Sequence, residues 1–163
     1  MTDPRAARTS APHIRYKLAR MARPQILLVG GNPPVAAMLT DYFHHDDRYE
    51  IESVEHGDDA LALLQRRRFD LVLVLSLHVP WTMRPSSYSA AWRIDFANAI
   101  LLLKHLRGAH GPPPVILISG SLLPEAKEEA LANGAFAFLP KPVDLAELDR
   151  FVELALESQK GKR

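Results

Sequence analysis

Three short, continuously apolar stretches place the strongest constraint on how this chain can fold. They cover residues 25–29, 70–75 and 115–118 and consist mainly of Leu, Ile and Val. Each is too short for a typical helix, and an unbroken apolar run of this length is typical of a strand buried on both faces. Such strands occur in parallel sheets that are covered by helices on both sides.

The segments between these runs have helical periodicity. Apolar residues recur at helical spacing from Val35 to Phe43, in 60–64, in 94–106 and after Asp144, which we expect to cap the last helix. Residues 124–132 form another predicted helix that ends at Asn133 and Gly134. Weaker strands are predicted at 50–55 and 135–139, and residues 76–93 are predicted to be irregular. Five strands alternating with five helices predict an α/β fold with a doubly wound parallel sheet.

In such a sheet, functional residues lie in the crevice beyond the carboxyl ends of the strands. The residues predicted there are Gly30, Gly31, Ser76, Ser119 and Lys141. A cluster near the end of the first helix, from Asp41 to Asp47, is predicted to lie at the opposite end and to be solvated.

Composition limits the domain organisation and the classes of partner. The chain has 163 residues, 47% of them hydrophobic, no cysteine and a net charge of +1, which argues against disulfides, thiolate metal sites and a general nucleic-acid binder. Residues 1–24 carry six basic side chains against one acid and are predicted to be a flexible extension, and residues 159–163 are predicted to be a basic tail. Without a membrane-length apolar run or a secretory signal, we expect a cytoplasmic protein.

Several local motifs, in this order and at these spacings, resemble the receiver domain of two-component response regulators. They are Gly57 to Leu61, Asp70 to Val74 followed by Pro80, Val115 to Gly120, Asn133 to Ala135, Phe138-Leu139 and Lys141-Pro142. The resemblance extends from about residue 25 to residue 156. It implies a flavodoxin-like (β/α)5 fold with strand order 2-1-3-4-5.

The resemblance also implies a site that this chain has lost. Family members commonly bind Mg²⁺ with an acidic pair after the first strand and accept a phosphoryl group on an Asp after the third. Here the acidic pair falls on Gly30-Gly31, and the acceptor falls on Ser76 counted back from Pro80, or on Leu75 counted forward from Asp70. We therefore expect no Mg²⁺ binding and no cofactor.

Ser119 and Lys141 match the family's phosphoryl-sensing positions, and Phe138 matches its switch aromatic. Two interpretations of Lys141-Pro142 stay open, because the pair either shapes a turn with a cis bond or leaves Lys141 to bind an external anion. Gly30-Gly31 is interpreted as a turn permissive in backbone angle, with a phosphate cradle as the alternative.

The family's third helix is preceded here by an apparent insertion at about 81–96. It contains Trp81, Tyr88 and Trp92, residue types that often anchor interfaces. Either it folds over the crevice as a lid, or it presents aromatic side chains to a partner. Asp95 is the acid in this segment that could replace the missing acceptor.

These observations lead to three functional hypotheses. The first is a non-enzymatic, phosphorylation-independent adaptor of two-component-type signalling that acts in trans on a histidine kinase or an output protein. The second is a phosphoacceptor with rearranged acids, and the third is a sensor of a small anion. By resemblance, docking or homodimerisation would use the fourth helix, fifth strand and fifth helix, with Leu122, Lys127, Leu131, Phe138, Leu145 and Phe151.

Overall fold

In the part of the chain that the structure describes, a five-stranded parallel sheet is flanked by five helices. The computed structural model of the chain describes residues 23–31, 33–45, 47–76, 88–120 and 124–161, and for residue 76 and residues 88–95 it describes the backbone alone. The strands are β1 (Gln25–Gly30), β2 (Glu50–Val54), β3 (Leu71–Ser76), β4 (Val115–Ser119) and β5 (Ala137–Pro140). The helices are α1 (Pro33–His45), α2 (Gly57–Arg66), α3 (Tyr88–Arg107), α4 (Pro124–Ala132) and α5 (Leu145–Lys160).

The strand order is β2-β1-β3-β4-β5 and every neighbouring pair is parallel, as the sequence predicts. Successive residues of a strand point to opposite faces, so each apolar run supplies two cores. On one face Leu27, Val72 and Val74 pack with buried residues of α2, α3 and α4. On the other, Ile26 and Leu73 pack with buried residues of α1 and α5. Full burial of the central strands explains why their sequences lack polar alternation.

Local signals set the ends of several elements where the sequence predicts them. The Asp144 carboxylate accepts hydrogen bonds from the backbone N–H groups of Ala146 and Glu147 at 2.8 and 3.1 Å, which caps α5. Gly134 follows α4 with a φ of +100°, a left-handed conformation that favours glycine after a helix. Asn32, whose place directly before Pro33 suits a cap of α1, lies outside the described residues.

Helix α3 begins at Tyr88, six residues before the predicted start at Ile94, which corrects the predicted loop. The prediction gave weight to Pro80, Pro85 and the serines, but no proline or glycine occurs between Ser86 and Arg107, and Ala90 and Ala91 have high helix propensity. Tyr88 and Trp92 are therefore helical residues. At the other end of the chain α5 continues to Lys160, so the predicted tail from residue 159 begins inside a helix.

Polar contacts join elements that are distant in sequence. At the amino edge of the sheet, Asp70 and Gln25 are linked twice, by Gln25 N–H donating to the Asp70 carboxylate and Asp70 N–H donating to the Gln25 carbonyl, both at 2.8 Å. The Tyr42 hydroxyl of α1 donates to Asp149 of α5 at 2.7 Å. Among the described helices, none combines the length and apolar character needed to cross a bilayer.

Two leucines give a direct test of the buried central strand. Leu73 of β3 is 0% exposed and Leu101 of α3 is 62% exposed. We expect Leu73→Ala to lower the free energy of unfolding by about 2–5 kcal/mol, because it leaves a cavity in the core. The matched change Leu101→Ala should cost less than about 0.5 kcal/mol. Urea denaturation measures both, and equal losses would contradict the burial assigned to β3.

Candidate functional site at the carboxyl edge of the sheet

The turn after β1 has the backbone conformation predicted for its two glycines. Gly30 and Gly31 have φ values of +76° and +86°, and α1 begins at Pro33. These are left-handed conformations that L side chains rarely adopt. The two glycines therefore turn the chain from the buried strand into α1, and their backbone role explains their presence.

Position 31 is also crowded. A Cβ atom built on Gly31 would lie 2.7 Å from Cδ1 and 3.2 Å from Cβ of Leu75. Leu75 is itself 1% exposed and belongs to the core with Ile26, Leu28 and Leu39, so it has little room to move away. Changing the Leu75 rotamer would move Cδ1 but not Cβ. Any side chain at position 31 is thus restricted twice, by the positive φ of the backbone and by the close contact with Leu75.

The end of β3 accounts for the ambiguity between Ser76 and Leu75 as the acceptor position. Val29 pairs with Val74, but Gly30 pairs with Ser76, so the register shifts by one residue between Val29 and Gly30. Leu75 is the extra residue, and its side chain is buried in the core. Ser76 is the residue aligned with Gly30 at the carboxyl edge, and its side chain lies outside the described part of the chain.

Ser119 and Lys141 are brought together at the ends of β4 and β5. Lys141 N–H donates to the Ser119 carbonyl at 2.9 Å, and Ser119 is in register with Pro140. Both side chains are half-buried. The peptide bond between Lys141 and Pro142 is cis, as the turn interpretation of this pair predicts.

A cleft of about 350 Å³ opens beside the glycine turn, between α1 and β2. Gly30 and Gly31 line it together with Thr40, Asp41 and Glu55. The position of Asp41 corrects the prediction that the whole acidic cluster of α1 lies at the opposite end of the sheet, whereas Asp47 does lie there, paired with Arg23. Asp41 faces the cleft because it falls on the helix side shared with Ala37, one turn earlier.

Ser119 and Lys141 are absent from the described residues that line this cleft. The predicted site residues thus share one edge of the sheet but do not form one pocket. Within the described ranges, no group of three or more His, Asp or Glu residues is placed to hold a metal ion.

The predicted interaction residues fall into three groups. Lys127 and Leu131 are exposed on α4, with Leu131 43% exposed. Phe138 and Phe151 are half-buried and pack against the two cores, so they contribute less to a surface. Trp81 and Leu122 lie outside the described residues, and for Tyr88, Trp92 and Asp95 only the helical backbone is described.

The sequence-based prediction missed one exposed aromatic residue, which lies directly before β5. Phe136 precedes β5 and is 37% exposed. It is two residues before Phe138, and residues i and i+2 of an extended segment share a face. The alternation in this segment was the available signal in the sequence. Ala137 and Leu139 are buried, so Phe136 and Phe138 point to the opposite face.

The chain is similar to response regulators in sequence and to receiver domains in structure. The regulatory protein AtoC of Escherichia coli K12 is 34% identical over 139 residues, which cover 85% of this chain and 26% of AtoC. The response regulator protein PilR of Pseudomonas aeruginosa is 29% identical over 138 residues, which cover 83% of this chain and 27% of PilR. The chain thus spans about a quarter of the length of these curated relatives. No protein-family model matches it.

A solved structure agrees with this similarity. The signal receiver domain of an HD domain-containing protein from Pseudomonas fluorescens Pf-5 superposes with a TM-score of 0.67 at 25% identity, covering 85% of this chain and 98% of that one. The observed strand order β2-β1-β3-β4-β5 is also the one that the resemblance to receiver domains implies. The chain has the receiver fold of response regulators, as its strand order and its similarity in sequence and structure show.

Proposed function

We propose that this receiver domain acts as a phosphorylation-independent interaction module in two-component-type signalling, binding a protein partner in trans. The observation that carries the proposal is the packing of Leu75 against Gly31, at the positions where the phosphorylation chemistry needs acids. Gly30 and Gly31 supply no side-chain ligand, and the residue next to them on β3 is a buried leucine.

This set of residues does not fit a Mg²⁺ site. Magnesium in proteins is held through hard carboxylate oxygens in near-octahedral geometry, and a phosphoryl acceptor of this type is a carboxylate nucleophile. Gly31, Leu75 and Ser76 provide neither a carboxylate ligand for the metal nor a carboxylate nucleophile. The proposal therefore assigns the retained Ser119 and Lys141 to the turn that joins β4 and β5 rather than to phosphoryl binding.

The cleft beside the turn supports the same proposal over an anion sensor. Asp41 and Glu55 both line it, and two carboxylates would repel an anionic ligand. An acid brought in by another segment, such as Asp95, remains the alternative that the experiments below distinguish from an adaptor.

The partner surface of the proposal is the face formed by α4 and β5. Leu131 on α4 and Phe136, which directly precedes β5, are exposed apolar side chains, and Lys127 is exposed one helical turn before Leu131. Apolar and aromatic side chains within a polar surround are typical of protein interfaces. A histidine kinase, an output protein or a second copy of the chain are the partners that this surface is proposed to bind.

The first prediction that follows from the proposed function concerns the steric restriction at Gly31. Gly31→Ala should destabilise the fold more than Gly111→Ala, although both glycines have positive φ, because a Cβ on Gly111 meets no atom within 4 Å. The backbone conformation costs roughly 1–2 kcal/mol in both variants. Crowding against Leu75 should add about 1–3 kcal/mol in Gly31→Ala alone. Equal free energies of unfolding in urea would remove the steric argument.

The second prediction concerns the lost chemistry. Titration of the full chain with Mg²⁺, then with beryllium fluoride as a phosphoryl mimic, should leave the backbone amide resonances of residues 30, 31, 76 and 119 unchanged at millimolar concentration. A receiver domain that retains its acids is the positive control. Saturable shifts at these residues would sink the proposal and favour a rearranged acid site. Substitution Asp95→Asn would then show whether Asp95 supplies it.

The third prediction concerns the α4 and β5 face. Sedimentation velocity over a concentration series should show reversible self-association that Leu131→Glu weakens, because it places a charge in an apolar contact. Met38→Glu is the control, since Met38 is similarly exposed at 47% but lies on α1, at the other edge of the sheet. A chain that stays monomeric, or two variants that behave alike, would contradict homodimerisation through this face.

A further inference from the structure

A second, larger cleft lies at the opposite end of the sheet from the glycine turn. It has a volume of about 710 Å³ and is formed by the end of α2, the start of β3 and the segment that follows α3. We call it the basic cleft, because its lining includes the basic residues Arg66, Arg67, Arg68, His105 and His110. A volume of this size is typical of ligand and peptide sites.

The three consecutive arginines differ in what they contact. Arg67 is paired with Glu52, donates to the Gln25 side chain at 3.3 Å and lies over the Phe69 ring at 5.4 Å. Arg66 and Arg68 are exposed, and within the described ranges neither has a hydrogen-bond or ion-pair partner. Arg67 thus holds the segment against the fold, and its two neighbours leave their guanidinium groups available.

Little negative charge compensates these groups inside the cleft. Asp70 is the one acidic residue among the described residues that line it. Its carboxylate already accepts from Gln25 N–H at 2.8 Å. Residues 1–22 carry five basic side chains against Asp3, so this segment has the wrong sign of charge to occupy the cleft.

The helix ends decide what kind of anionic group the cleft suits. Both α2 and α3 end beside the cleft, at Arg66 and Arg107, and the carboxyl end of a helix carries partial negative charge. A small free anion beside those helix ends would be repelled by their carbonyl groups. Arg66 and Arg68 carry their charge at the end of long side chains, whereas Leu64, Leu106 and other apolar groups contribute the rest of the lining.

We propose that the basic cleft binds an acidic segment of a partner polypeptide. Carboxylates of that segment pair with Arg66 and Arg68, and an apolar side chain between them contacts the interior near Leu64 and Leu106. Arginine suits this role because its planar guanidinium binds a carboxylate through two parallel hydrogen bonds. The proposal goes beyond the adaptor function, since it concerns the opposite end of the sheet and stands whether or not the α4 and β5 face docks a partner.

The test is an amide NMR titration of the full chain with a synthetic glutamate-rich peptide that has one central leucine. Saturable shifts are expected at residues 66–68 and 105–113, with affinity that falls as salt rises. The double variant Arg66→Glu, Arg68→Glu should bind at least about tenfold more weakly, because both ion pairs become repulsive. Replacing the peptide's leucine by glycine should also weaken binding.

A control double variant has the same change in net charge elsewhere. Lys104→Glu, Arg150→Glu reverses exposed basic residues of α3 and α5 that do not line the basic cleft and should bind the peptide as the unmodified chain does. Circular dichroism checks that both double variants fold. Equal weakening in the two would mean nonspecific attraction and overturn the proposal. The absence of amide shifts in the basic cleft would also overturn the proposal. Equally tight binding of pyrophosphate would overturn it as well, because the cleft would then be a small-anion site.

Discussion

Burial of β1 and β3 on both faces is the constraint on which the rest of the structure depends. Their apolar side chains supply both cores at once, so helices have to cover both sides of the sheet. Parallel neighbours with helical crossovers then follow, and the carboxyl ends of all the strands meet at one edge. The candidate site is a consequence of that arrangement, because Gly30, Ser76 and Ser119 are simply where the strands end.

The same core packing extends to the glycine turn, where the proposed function places the lost acidic site. At Gly31, apolar packing from Leu75 occupies the space where an acidic side chain would project. Carboxylates clustered around a metal repel one another when the metal is absent, whereas a leucine in the core adds to stability. In the proposed function, loss of the acids and gain of core packing therefore act in the same direction on the stability of the domain.

The two ends of the sheet differ in charge and in shape. Beside the glycine turn the smaller cleft is lined by Asp41 and Glu55, and at the amino edge the larger cleft is lined by three arginines. The exposed apolar residues Leu131 on α4 and Phe136 just before β5 supply the third surface, the one proposed to bind a partner. A domain with distinct surfaces of this kind is suited to hold different partners at once, which is consistent with an adaptor role.

The sequence by itself determined the fold class, the strand order through its resemblance, the cap at Asp144 and the residues at the carboxyl edge, because these depend on local periodicity and on the order of motifs. Only the tertiary structure decided the register shift at Gly30, the contact between Gly31 and Leu75 and the place of Asp41 in a cleft. It also extended α3 back to Tyr88, where proline and serine signals had suggested a loop. The register shift, the Gly31–Leu75 contact and the place of Asp41 depend on atoms that are far apart in sequence and meet only when the sheet and helices pack, so no local pattern encodes them.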